Sequence, residues 1–240
     1  MTNIEWAELR VRDLVLQERF YCQLLDLEVL KRDGSRVELG LEGRALLKLQ
    51  ADPKARVPEQ AHPGLFHLAF WVPDMGRLGG WLQRSQVPLE GASDHGVSRA
   101  LYLSDPENNG LEIYADTGAR VEMGTRRLDL PALLHQARPW SALGLRLGHI
   151  HLRSLSAYDG QEWFARLGMT PSARYPGAEF YAADGYHHYF AVNQWGVRPA
   201  PAGNWTGLIG YALSGPFATA EVCDPWGHRV QLTSASVSVG

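Results

Sequence analysis

The chain has 240 residues, 45% of them hydrophobic, and a formal net charge of -3 at neutral pH. That supplies the core of one large or two ordinary globular domains, and the scatter of Lys and Arg excludes a basic footprint for nucleic acid or an anionic membrane. No run approaches the roughly 18 apolar residues of a membrane span, and Cys22 and Cys223 are too isolated for a disulfide framework or a CxxC site. The expectation is a cytoplasmic protein with a small neutral or anionic ligand and a homodimer as a possible assembly.

Residues 6–12 alternate, with Trp6, Glu8 and Arg10 against Ala7, Leu9 and Val11, which predicts a strand with one polar and one apolar face. Residues 13–25 switch to helical spacing: Leu14, Leu16, Phe20, Tyr21, Leu24 and Leu25 recur behind Asp13, a suitable N-cap. Short strands follow at LEVLKRD, SRVELGL and ALLKLQ. The Pro-rich ADPKARVPEQAHPG closes this unit, and a second opens with FHLAFWVPD, passes through a short helix near MGRLGGWLQRS and ends with RALYLSD and GLEIYAD. Residues 117–147 read as a connection that carries a short helix. Beyond it the pattern returns: GHIHLRS echoes the opening strand, GQEWFARLGM the helix, and CDPWGHRVQL mirrors SDPENNGLEI. The fourth unit leaves little room for a helix between TGLIGYALSG and FATAEVCDP. The repeats predict an α+β fold of tandem βαβββ modules. They would form two domains, residues 1–117 and 147–240, joined by 118–146, each curling a mixed sheet around a cavity.

Residues two apart on a strand share a face. In FHLAFWV, Phe66, Leu68, Phe70 and Val72 form the apolar face and leave His67, Ala69 and Trp71 opposite; in GLEIYAD, Glu112 and Tyr114 stand opposite Leu111, Ile113 and Ala115. A His and a carboxylate converging on a concave face suit a divalent metal with open positions for substrate and oxygen.

Those strands, together with LRVRDL near the start and the stretch GASDHGVSRALYLSDPENNGLEIYAD, resemble the vicinal oxygen chelate superfamily of glyoxalases, bleomycin-resistance proteins and extradiol dioxygenases. The resemblance is strongest to its two-domain, catechol 2,3-type ring-cleaving branch. His95, Tyr102, Asp105, Pro106 and Glu112 nearly reproduce that branch's His, Tyr, Asp-Pro, Glu signature, from which Ser93 and Asn108 depart. It implies His67 and Glu112 as metal ligands, His95 as a proton-handling group near the metal, and Tyr102 as a hydroxyl donor to the bound diol or oxygen.

The branch also has a His on the opening strand, three residues before the Leu of HxxLRV or one before it, where this chain has Trp6 and Glu8. Two alternatives follow: Glu8 completes a set of one His and two carboxylates, or the site is dead. The expected ion is Fe2+ or Mn2+, with Zn2+ or Ni2+ as further options. In the second half the matching positions hold His149 or His151, Gly210 and Gln231, which do not make a metal site, so both histidines read as structural. Tyr186, His187 and His188 reproduce part of a His-rich run found in relatives, with no role readable from alternation. The leading reading is an extradiol-type dioxygenase acting on a catechol-like vicinal diol. The rivals are a drug-sequestering binding protein and a glyoxalase-type isomerase or lyase.

Overall fold

The computed structural model describes residues 2–58, 61–201 and 203–234. The first module is β1 (Asn3–Val11), α1 (Leu14–Leu25), β2 (Glu28–Asp33), β3 (Arg36–Leu41) and β4 (Arg44–Ala51). The second is β5 (Gly64–Trp71), α2 (Met75–Arg84), β6 (Gly91–Asp94), β7 (Ser98–Ser104) and β8 (Gly110–Asp116). The connection carries β9 (Arg126–Arg127) and the expected helix, α3 (Leu130–His135). The third module is β10 (Arg146–Arg153), α4 (Gln161–Arg166), β11 (Thr170–Tyr175), β12 (Ala178–Ala182) and β13 (Phe190–Asn193). The fourth runs β14 (Gly207–Gly215), β15 (Ala220–Cys223) and β16 (Arg229–Ser234), with no helix among its described residues.

Local chemistry accounts for these elements. Asp13, Asp74 and Asp129 each cap a helix by accepting the backbone N–H three residues on. The Gly79–Gly80 pair inside α2 costs helix propensity but permits close packing on the chain around α3, since a Cβ at Gly80 would lie 1.9 Å from the Arg138 carbonyl oxygen. Each repeated Asp-Pro dipeptide supplies a turn. Asp105 accepts the backbone N–H groups of Glu107 and Asn109, and Asp224 accepts those of Trp226 and His228. These turns aim β8 and β16 back into their sheets.

The sheets are not drawn from one half of the chain each. One has the order β15-β16-β14-β1-β4-β3-β2, and the other β11-β12-β13-β10-β5-β8-β7-β6-β9. The first module thus pairs with the fourth through β1 and β14, and the second with the third through β5 and β10, both antiparallel. The cavity expected within residues 1–117 is instead shared by both halves. The physical reason is edge pairing: each module leaves its first strand as a bare edge, and another module's first strand closes it. Leu9, Leu68, Phe70, Ile150, Leu152 and Tyr211 from both sheets join one buried apolar core.

Because each half supplies part of both sheets, a fragment of residues 1–117 keeps unsatisfied edges at β1 and β5. It is expected to show no cooperative thermal transition by near-UV circular dichroism, and to regain one when mixed with residues 118–240. A cooperative melt of the fragment alone would contradict the pairing.

Candidate metal centre and its cavity

The site is built on β5, β8 and β10, neighbours in one sheet. His67 stands opposite His151, and Ala69 lies between His149 on β10 and Glu112 on β8. The pleat turns all of these to one face, and the small Ala69 leaves open the space that the longer side chains enter. Two β-bulges adjust the aim: the β5–β10 register slips between Leu147 and His149 and again between His151 and Leu152. The first slip, at Gly148, lets Leu147 rejoin the core while His149 faces the cavity. A side chain at Gly148 would meet the Tyr114 hydroxyl at 2.0 Å. The second slip, at Phe66, turns that ring out of the apolar face where strict alternation places it and into the cavity wall.

His67, Glu112 and His149 are all buried. Glu112 Oε2 lies 3.0 Å from His67 Nε2 and 3.1 Å from His149 Nε2, and the two Nε2 atoms are 3.3 Å apart. Bonds of about 2.1 Å to a common ion put neighbouring donors about 3.0 Å apart at right angles and about 3.4 Å apart at the tetrahedral angle. The triangle therefore has the size of three ligands on one face of one cation. Hydrogen bonding alone explains it poorly. If His149 donates from Nε2 to Glu112, its buried Nδ1 is left with no partner among the described residues. If Nδ1 carries the proton, the Nε2 lone pair faces the carboxylate. A cation at the centre resolves the second case by taking the Nε2 lone pair, and leaves His149 Nδ1 without a partner among the described residues, as in the first.

Glu8 is not part of this group. It lies on β1 in the other sheet, where it accepts a hydrogen bond from Arg229 Nη2 at 2.7 Å and lies 4.0 Å from Arg36. The expectation that Glu8 converges with His67 and Glu112 is therefore corrected: β1 pairs with β14, and the strand beside β5 is β10, which brings His149. His149 was legible as the His three residues before Leu152 in GHIHLRS. Taken as a unit by itself, the second half offers His149 no carboxylate, because Glu112 comes from the first half.

The other two expected residues sit on the same wall. Tyr102 is the cross-strand partner of Glu112, and its hydroxyl is 2.8 Å from His95 Nε2. The His95 Nδ1–H donates to the Gly124 carbonyl at 2.8 Å, so in the neutral ring Nε2 accepts from Tyr102. The cavity they share has a volume of about 280 Å³, and Phe66, Phe180 and Trp195 give it aromatic walls. His151 and His188 also line it. The His188 ring lies 4.2 Å, centroid to centroid, from that of His149.

No protein-family profile matches the chain. The catechol-2,3-dioxygenase of Bacillus subtilis strain 168 is 37% identical over 258 residues, a span covering 98% of this chain and 90% of that protein. The chain belongs to the vicinal oxygen chelate superfamily, in its catechol 2,3-dioxygenase-type branch. Two solved structures share its fold. A provisionally assigned dioxygenase of B. subtilis matches with a TM-score of 0.65 at 13% identity, covering 98% of this chain and 85% of that one. Glyoxalase I from Zea mays matches with a TM-score of 0.59 at 14% identity, covering 98% and 92%. No helix among the described residues of this dioxygenase-type enzyme is long and apolar enough to cross a membrane.

Electrostatics prepares the enzyme's donors. Burial pushes the Glu112 carboxyl up, but His149 and His67 beside it more than offset this and hold it well below the usual carboxylate range. Burial lowers His149 to about 4 against the pull of Glu112. It also drives His151 and His188 well below the ordinary imidazole value, helped by the neighbouring histidines. The cavity at neutral pH thus holds a carboxylate among neutral imidazoles with free lone pairs.

A sign follows for stability. The unfolded chain takes protons on these histidines below about 6.5 while the folded, metal-free enzyme refuses them, so stability falls as pH drops from 6.5 toward 4. His149 alone contributes a slope on the order of 1 kcal/mol per pH unit in that window. The urea midpoint of metal-free protein is expected to fall across it, and His149→Asn to flatten the fall; a midpoint constant from pH 6.5 to 4 would contradict the buried, neutral assignment.

Proposed function

We propose that this enzyme is an extradiol-type dioxygenase that binds divalent iron or manganese through His67, Glu112 and His149 and cleaves a single-ring catechol-type diol. The supporting observation is the triangle of two imidazole nitrogens and one carboxylate oxygen, 3.0 to 3.3 Å on an edge, at the wall of a small aromatic cavity. Two histidines and one carboxylate on one face of an ion, with the other positions open, is the donor set of non-haem Fe(II) oxygenases. When bound, the ion supplies Lewis acidity to the diol oxygens and a path for electrons between diol and O2.

The overall reaction places both atoms of O2 in the product and breaks one ring carbon–carbon bond beside a hydroxylated carbon, with no external reductant. The chain's task is to position, dry and deprotonate. The cavity volume of about 280 Å³ lies near the lower limit of small-molecule sites, which favours one aromatic ring over a polycyclic substrate. Phe66, Phe180 and Trp195 exclude water and offer ring faces to stack on. His188, held neutral by burial on the cavity wall, accepts a hydroxyl proton from the diol as it binds. Across the cavity, Tyr102 is kept protonated by burial and by the charge of Glu112; its one hydroxyl proton is given to His95 Nε2 in the substrate-free site and turns to the diol when the diol binds. Cys22 and Cys223 are unpaired, which supports placing the enzyme in the reducing cytoplasm.

Anaerobic reconstitution with Fe(II), followed by catechol and air, is expected to yield a yellow ring-opened product. Fe(II)-loaded enzyme that binds catechols without consuming O2 would reject the dioxygenase reading. His149→Gln is expected to lower metal affinity by at least about 100-fold, as loss of one of three ligands requires, while Glu8→Gln leaves metal content at the wild-type level. Stoichiometric metal in His149→Gln measured by elemental analysis would refute that ligand set. Tyr102→Phe keeps the ring and removes one donor, so kcat should fall by roughly 10- to 1000-fold with metal content unchanged; an unaltered kcat would remove Tyr102 from the chemistry.

A further inference from the structure

The His-rich run after β12 forms a hydrogen-bonded chain from the cavity along the same face of the sheet to the C-terminal end of β8. His188 lines the cavity, and its Nδ1 lies 2.8 Å from Nδ1 of His187. His187 Nε2 lies 2.8 Å from Asp116 Oδ1, on the carboxylate that ends β8. The same carboxylate accepts the Trp71 indole N–H at 2.9 Å through Oδ2 and faces the Tyr186 hydroxyl at 3.3 Å. Asp116 and His187 also line a separate groove on the outside.

Donor and acceptor rules fix the protons along this chain. The Asp116 carboxylate only accepts, so His187 carries its hydrogen on Nε2. In a neutral His187 the Nδ1 is then a bare lone pair, and the 2.8 Å contact requires His188 to donate from its own Nδ1. That leaves the His188 Nε2, on the far edge of the ring, without a proton. We propose that Asp116 and His187 are positioning residues that preset His188 in the tautomer whose bare Nε2 can take a proton in the cavity. This rests on the reading of His188 as the group that deprotonates the diol, but the tautomer itself can be observed without turnover. The arrangement parallels the way a buried carboxylate sets the tautomer of a catalytic histidine, extended here by one more imidazole.

One isosteric change inverts the chain. In Asp116→Asn the Trp71 indole can only donate, so the amide oxygen must face Trp71 and the amide NH2 must face His187 Nε2. His187 then protonates Nδ1, donates to His188 Nδ1, and leaves the His188 hydrogen on Nε2. His187→Gln should preserve the original state, because one amide can accept from His188 and donate to Asp116 at once.

The test is 15N NMR of histidine-labelled protein loaded with Zn2+ as a redox-silent ion, beside steady-state kinetics of the Fe(II) enzyme with catechol. Wild type is expected to show His188 protonated on Nδ1 only, Asp116→Asn on Nε2 only, and His187→Gln on Nδ1. In the kinetics, kcat should fall about 10- to 100-fold in Asp116→Asn, the usual cost of losing an outer partner, with KM and metal content little changed and partial recovery in His187→Gln. A wild-type His188 protonated on Nε2, a His187 protonated on both nitrogens, or an Asp116→Asn variant with the wild-type pattern would each overturn the proposal. The expected tautomers in an enzyme that does not turn over catechol would leave the relay standing and refute the dioxygenase reading instead. The expected tautomers with full kcat in Asp116→Asn would show that the tautomer does not govern the reaction, and would overturn the positioning role.

Discussion

The site depends on the antiparallel pairing of β5 with β10. Neither strand carries a metal site by itself: β5 has His67, β10 has His149, and Glu112 joins only because β8 runs parallel to β5 on its other side. The ladder sets the two Nε2 atoms 3.3 Å apart, and the bulges at Gly148 and Phe66 choose which residues face the cavity. Since side chains alternate with period two, a one-residue slip here would send both histidines into the core and the neighbouring leucines into the cavity. Burial of Leu68, Phe70, Ile150 and Leu152 on the reverse face holds the register, each side chain stabilising it by about 2 kcal/mol. The packing that folds the protein thereby also holds the proposed ligands.

The pairing of β1 with β14 repeats this arrangement without the chemistry. Glu8 pairs with Gly210 as His151 pairs with His67, and Trp6 pairs with Ala212 as His149 pairs with Ala69. Gln231 stands beside Ala212 as Glu112 stands beside Ala69. Even the register slips recur, at Glu5 and Ile209. The positions of His149, His67 and Glu112 are therefore held by Trp6, Gly210 and Gln231, none of which offers an anionic or imidazole donor. Glu8, at the position of His151, is neutralised by Arg229. Trp6 lies under the Lys48 ammonium at 3.9 Å from its ring centroid, an aromatic–cation contact where the other sheet has the proposed ligand His149.

Much of this was legible in the sequence because it is local. The βαβββ order, the caps at Asp13, the helix in the connection, the missing helix of the fourth module and the inward faces of His67 and Glu112 all follow from periodicity. Which module pairs with which does not. All four first strands have similar alternation, so the sequence is equally compatible with pairing inside each half, and that choice put Glu8 in the place of His149. Strict alternation misplaces Phe66 because a bulge adds one residue to the count without a local sequence mark. The His187–His188 run resisted reading because its partner, Asp116, lies 71 positions away in the chain.

The proposed ligand set, with His149 in place of Glu8, also changes the charge of the cavity. With Glu8 as a ligand, two carboxylates would have cancelled a divalent ion. With His149, a bound dication would keep one net positive charge behind Glu112, in surroundings of neutral imidazoles and aromatic rings. Where water is scarce that charge acts at low effective dielectric, so it favours a diol that has lost a proton over one that has not. A neutral His188 on the cavity wall can receive that proton without creating a second anion beside Glu112. One imidazole in place of one carboxylate thus makes the site attract the deprotonated form of a diol, and the β5–β10 pairing is what puts that imidazole there.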